Sequence, residues 1–195
     1  MKYIRQARIS TYLVLLILVL GGTNASASTR VTIDKIPGSG LHSWSAVDDG
    51  FSIKLIQLLP DFVRAVYAKH GLPAKQYNEI GDYCVFGTII KNTSGKTLDY
   101  DVGTWRTIDA KGTEGVIKTK GQWAKQWKKA GVNFSWTLLP GEGTFYPGDW
   151  QQGFTTVKLP HGSSFDLIFK WKIDGVEHTG KIHQLRCAPD ITRNK

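Results

Sequence analysis

The sequence predicts a mainly β protein: an antiparallel two-sheet sandwich with one or two short helices and one disulfide. Three observations carry this expectation. About seven short runs rich in β-branched and aromatic residues are separated by Gly, Pro and Asn turn signals. Phe165, Leu167, Phe169, Trp171 and Ile173 alternate with Asp166, Lys170 and Lys172, the period-two pattern of a strand with one buried face. Cys84 and Cys187 fall in an early run and at the end of the last one. A single closed barrel is the alternative architecture.

The first 27 residues read as a signal peptide. Lys2, Arg5 and Arg8 form a basic start, Tyr12 to Leu20 an apolar stretch, and Ala25-Ser26-Ala27 a small-residue cleavage step. The apolar stretch is shorter than the roughly 20 residues that span a bilayer. Cleavage after Ala27 leaves 168 of the 195 residues, enough for one domain over 28–195, and removing three cations lowers the formal charge from +9 to +6. The mature chain is expected to be periplasmic or secreted. In such an oxidising compartment the two cysteines pair as a bridge.

From Arg30 to Gly50 a weakly alternating stretch broken by Pro37, Gly38 and Gly40 reads as an edge strand and a loop. Ser52 to Leu59 is a strand, and Pro60-Asp61 opens a helix that runs to His70 and stops at Gly71. Phe62, Val63, Val66 and Tyr67 give that helix one apolar face. Tyr83 to Lys91 and Thr97 to Ile108 are read as a hairpin about Asn92-Thr93-Ser94-Gly95. Lys111-Gly112 and Gly115 mark a turn, and Gln122 to Ala130 is a helix ended by Gly131. Asn133 to Leu139 is a further strand, followed by Pro140-Gly141 and Pro147-Gly148 corners. Phe154 to Leu159, Phe165 to Ile173 and Val176 to Cys187 complete the strands, with Asp174-Gly175 the strongest hairpin signal in the chain.

Three segments carry a resemblance to a known class. Asn92-Thr93-Ser94-Gly95 follows a hydrophobic strand, Leu138-Leu139-Pro140-Gly141-Glu142 comes next, and Val157-Lys158-Leu159-Pro160 precedes a final hairpin. In this order of strands and loops, from Cys84 onward, the chain resembles the immunoglobulin-like β-sandwiches of exported bacterial proteins. The resemblance is at the level of fold and implies no active site.

Recognised catalytic signatures are absent: there is no G-x-S-x-G, H-E-x-x-H, C-x-x-C, P-loop or G-x-G-x-x-G. A glycosidase needs only two carboxylates brought together by the fold, and Asp99, Asp101, Glu142 and Asp149 are the candidates. His161, His178 and His183 are candidate metal ligands for copper or zinc. His178 and His183 differ by an odd number on one strand, which points them to opposite faces. The mature chain lacks methionine, its only one being Met1, so soft thioether ligands are missing. No cofactor is expected.

The basic and aromatic residues give the first functional expectation. Lys118, Lys120, Lys125, Lys128 and Lys129 surround Trp123 and Trp127, and Trp150 sits in a Pro-Gly turn. Trp123, Lys125, Trp127, Lys128, Lys129 and Trp150 are therefore candidate contacts for a protein or anionic polymer of the cell envelope. The competing arrangement buries both helical tryptophans as an apolar stripe and leaves only the lysines outside. A membrane-surface role ranks lower for so short a helix, and nucleic acid lower still given export and modest charge. The expected function is an exported binding or accessory module, with a metal-handling factor or a cell-wall or glycan hydrolase as alternatives.

Overall fold

The computed structural model describes residues 29–134 and 137–191. The leader reading falls on residues outside the described ones. Among the described residues eleven strands lie in two antiparallel sheets, as the alternating runs predict, rather than in one closed barrel. The first sheet holds β1 (Arg30–Lys35), β2 (His42–Asp48), β3 (Phe51–Gln57), β4 (Cys84–Asn92) and β9 (Trp150–Val157), in that order. The second is built around β10 (Ser164–Ile173). One side of β10 pairs with β11 (Val176–Arg186). Its other side pairs with β5 (Leu98–Asp101) and then β6 (Arg106–Asp109), which carry β8 (Glu142–Phe145) and β7 (Glu114–Val116) outward.

Between the sheets Phe51, Phe86, Trp105, Phe169 and Trp171 form the centre of the main core. Phe51 and Phe169 both stack on Trp171, at 5.2 and 5.5 Å between ring centroids. The alternation along β10 buries Phe165, Leu167, Phe169 and Trp171, as its sequence requires. Asp174 and Gly175 take positive φ values of 48° and 82° and make the tight hairpin. Asp49-Gly50 does the same between β2 and β3, at 34° and 76°.

Cys84 and Cys187 are bonded, with their Cα atoms 5.2 Å apart. The bridge ties the start of β4 in one sheet to the residue beyond β11 in the other. A disulfide indicates a location outside the cytoplasm. Among the described residues no helix is long and apolar enough to cross a membrane.

Several elements depart from the sequence reading. Residues 30–50 form two strands rather than one, because Pro37 and the positive-φ Gly38 and Gly40 turn the chain back on itself. Among the described residues three helices occur: α1 (Pro60–Lys69), α2 (Ala74–Gly81) and α3 (Lys120–Lys129). The eight-residue α2 is not among the predicted elements; it buries Gln76, Ile80 and Gly81 and packs Tyr77 against the same cluster. In α1, Val63 and Tyr67 are buried as expected, but Phe62 points out and is 51% exposed. The run 97–108 is split by a 3-10 turn at Val102–Thr104.

The hairpin expected between 83–91 and 97–108 does not form. β4 pairs with β3 and β9, whereas β5 pairs with β8 and β10 in the opposite sheet. Asn92 explains the crossing. Its side chain donates to the carbonyls of Lys96 (2.7 Å) and Phe145 (3.2 Å), and the amides of Thr93 and Ser94 donate to Gly50 O. The turn is thereby fastened to both sheets, and the chain steps from one to the other. The run 133–139 adds no strand to either sheet: Leu138 makes one isolated bridge to Phe154, while residues 135 and 136 lie outside the described ones. Backbone from this segment crosses β9 so closely that a Cβ on Gly153 would lie within 2.5 Å of Leu139 Cα.

Removing the bridge by Cys84→Ala/Cys187→Ala frees a loop of 103 residues in the unfolded chain. The chain-entropy relation puts the loss at about 4 to 5 kcal/mol. Urea unfolding of the oxidised and bridge-free proteins should show that difference.

Candidate docking site

The second apolar cluster lies on the outer face of the first sheet, and it creates the site. Val85 of β4 points away from the main core and packs with Val63, Tyr67, Ile80, Trp123 and Trp127. The start of α3 is set by a capping box. Thr119 Oγ1 accepts from the Gln122 amide, and Gln122 Oε1 accepts from the Thr119 amide at 2.8 Å. Trp123 and Trp127 are both fully buried. Trp123 Nε1 donates to Thr156 Oγ1 at 2.9 Å, and Trp127 packs edge-on against Tyr67 and Phe134. The inward arrangement therefore holds, and the two rings are corrected from partner contacts to the apolar stripe that fixes the helix.

With the rings inside, the lysines stand out. Lys125 and Lys129, one turn apart, join Lys118 and Lys158 around a groove of about 520 Å³ whose apolar wall is Tyr83 and Val116. Val116 is 55% exposed. Gln122 and Gln126 complete the lining, which contains no carboxylate. Lys118 Nζ lies 3.4 Å from the Trp123 ring centroid and 5.2 Å from that of Tyr83. It also donates to Gln126 Oε1, and Glu79 Oε1 is 3.9 Å away. Burial lowers the Lys118 pKa; Glu79 opposes this and Lys158 adds to it.

The groove gathers Lys125 and Lys129 from the predicted set, but not Lys128 or Trp150. Lys128 is exposed outside the lining. Trp150 begins β9 and Lys158 follows its last residue, so the strand rise separates them by roughly 25 Å. Trp150 is 56% exposed and Tyr146, in the same turn, 66%. Lys158, Tyr83 and Val116 were missed, because they come from separate strand ends and carry no local signal.

Of the four candidate carboxylates, Asp99, Asp101 and Glu142 line one open groove of about 370 Å³ with Glu177, Lys170 and Lys172. Asp149 stands apart and accepts from the Tyr146 amide at 2.8 Å. Asp101 caps the 3-10 turn by accepting from Gly103 N, and Asp99 accepts from Thr144 Oγ1. These are structural tasks of an exposed sheet face. The three histidines are not brought together. His161 Nε2 lies 3.1 Å from Gly81 O, His178 Nδ1 3.2 Å from Asp49, and His183 Nδ1 3.0 Å from Asp166. Among the described residues no group of three His, Cys, Asp or Glu side chains is placed to hold a metal ion.

Comparison with protein-family models, with curated proteins and with solved structures finds no match to this chain.

Tyr67 reports on the packing beneath the site. It is buried and accepts from Thr137 Oγ1 at 2.7 Å, and desolvation raises its pKa. In the unfolded chain the phenol ionises near pH 10. The folded state then keeps a proton that the unfolded state has lost, so this contribution is full below pH 10 and falls as pH rises. Chemical denaturation between about pH 9 and 11 should show stability dropping, and Tyr67→Phe should flatten the drop.

Proposed function

We propose that the protein is an exported, non-catalytic binding module that docks an acidic segment of a cell-envelope partner in the lysine groove beside α3. One observation carries the proposal: Lys118, Lys125, Lys129 and Lys158 flank an apolar wall of Tyr83 and Val116 without a carboxylate in the lining. Such a groove takes a chain that offers carboxylates to the rim and an apolar side chain to the wall. The leader and the disulfide support export, to the periplasm or beyond the cell. The immunoglobulin-like resemblance belongs to the same proposal.

Exposed ion pairs are worth roughly 0.2 to 1 kcal/mol each and are screened by salt. Three of them, at Lys125, Lys129 and Lys158, sum to roughly 0.6 to 3 kcal/mol and, with modest apolar burial, give weak binding that fades as ionic strength rises. Poly-L-glutamate is a direct probe. Calorimetry at low salt should show binding that Lys125→Glu/Lys129→Glu weakens at least about tenfold, with thermal stability unchanged and Trp150→Ala without effect. Equal binding by the charge-reversed variant would refute the groove as the site.

A cell-wall or glycan hydrolase is the second reading, favoured by Asp99, Asp101 and Glu142 lining one groove. Release of reducing ends from purified cell wall, lost in Glu142→Gln, would move it to first place. The metal-handling alternative gains no support from three histidines that stand apart.

A further inference from the structure

The strand β1 closes one side of the first sheet and, among the described residues, pairs with β2 alone. Its six residues are exposed except for the half-buried Val31. The usual devices that blunt an edge, a proline or a bulge, are absent within it, and its only Lys is the last residue. Its start is nevertheless fixed: Thr29 Oγ1 donates to Asp48 at 2.6 Å and accepts from the Lys181 amide at 3.1 Å. The edge is an open template held at its start.

Its sequence is complementary to itself. Val31 and Ile33 stand opposite Ala46 and Trp44, whose side chains face the main core, so they share the inner face. Arg30, Thr32 and Asp34 share the outer one. A second copy brought up antiparallel by a two-fold axis at Thr32 sets Arg30 opposite Asp34, Val31 opposite Ile33, and Thr32 opposite itself. Each heterogeneous pair then occurs twice. Axes at Val31 or Ile33 lose the charge pairing, and the latter sets Val31 against Lys35. An axis between Thr32 and Ile33 sets Arg30 against Lys35 and turns the inner face of one copy outward.

We infer that β1 is a homodimerisation edge, pairing with β1 of a second copy about Thr32. The dimer joins two five-stranded sheets into one of ten strands. It also extends the apolar stripe of Ile33, 55% exposed in the single chain, across the junction. β9 forms the far edge, so nine strand spacings separate the two β9 strands by roughly 40 Å, with one lysine groove on each flank. The pairing does not depend on what the grooves bind.

One short strand per partner places the contact among weak interfaces, with a dissociation constant on the order of 10 µM. Sedimentation equilibrium on the exported, disulfide-intact protein should show dimer between about 1 and 300 µM. Arg30→Asp sets like charges opposite each other twice and should raise the constant about tenfold, as should Asp34→Arg. The double exchange R30D/D34R should return it to within about threefold of the parent. Unchanged thermal midpoints establish that the variants are folded. A parent chain monomeric throughout, which a partner of another kind at this edge would also give, overturns the inference. So does failure of the double exchange to restore association.

Discussion

Val85 and Phe86 are neighbours on β4 and point to opposite faces of one sheet, yet both are buried. A strand in this position needs cover on two sides. The second sheet supplies one cover, packed on Phe86 through Phe165 and their edge-on rings. The three helices supply the other, over Val85. Most of the architecture follows from that double demand, including the disulfide, which begins at the residue before Val85 and reaches across to the end of the second sheet. The helical layer is therefore part of the fold's apolar balance rather than an appendage to a two-sheet core.

The same demand locates the lysine groove. α3 has few apolar residues, and it spends both tryptophans on the sheet. What remains for solvent is Lys and Gln, held at fixed spacing by a helix that cannot rotate without exposing two indoles. Lys118 shows how tightly this corner is set, with an ammonium partly withdrawn from water and placed over an indole face. Glu79 offsets part of that burial through Lys118 and Gln126, so the cationic character of the open rim rests on Lys125, Lys129 and Lys158.

The period-two run of β10, the Asp-Gly corner and the paired cysteines were legible because each is a local rule with a single structural answer. α1 was legible at both ends through Pro60 and Gly71, and α3 at its Gly131 stop, whereas α3 starts at Lys120, two residues before the expected Gln122. The destination of Asn92-Thr93-Ser94-Gly95 was not. A turn signal says that the chain reverses, while the choice between a hairpin and a crossing was made by Asn92 bonding to Phe145, 53 residues away. α2 escaped for a related reason: its eight residues hold only two large apolar side chains, Tyr77 and Ile80, too few to mark a period in the sequence. At the site, the basic helix was visible and the alternative with buried tryptophans was stated. The wall of Tyr83 and Val116, and Lys158, came only from tertiary placement.

Lysine footprinting tests the proposed docking groove at the level of single residues. Brief acetylation of the folded protein, with and without poly-L-glutamate, is read residue by residue by mass spectrometry. Protection is expected at Lys125, Lys129 and Lys158, with Lys54, Lys91 and Lys172, outside the groove, acetylated equally in both samples. Uniform protection over all lysines, or protection centred away from α3, would contradict it.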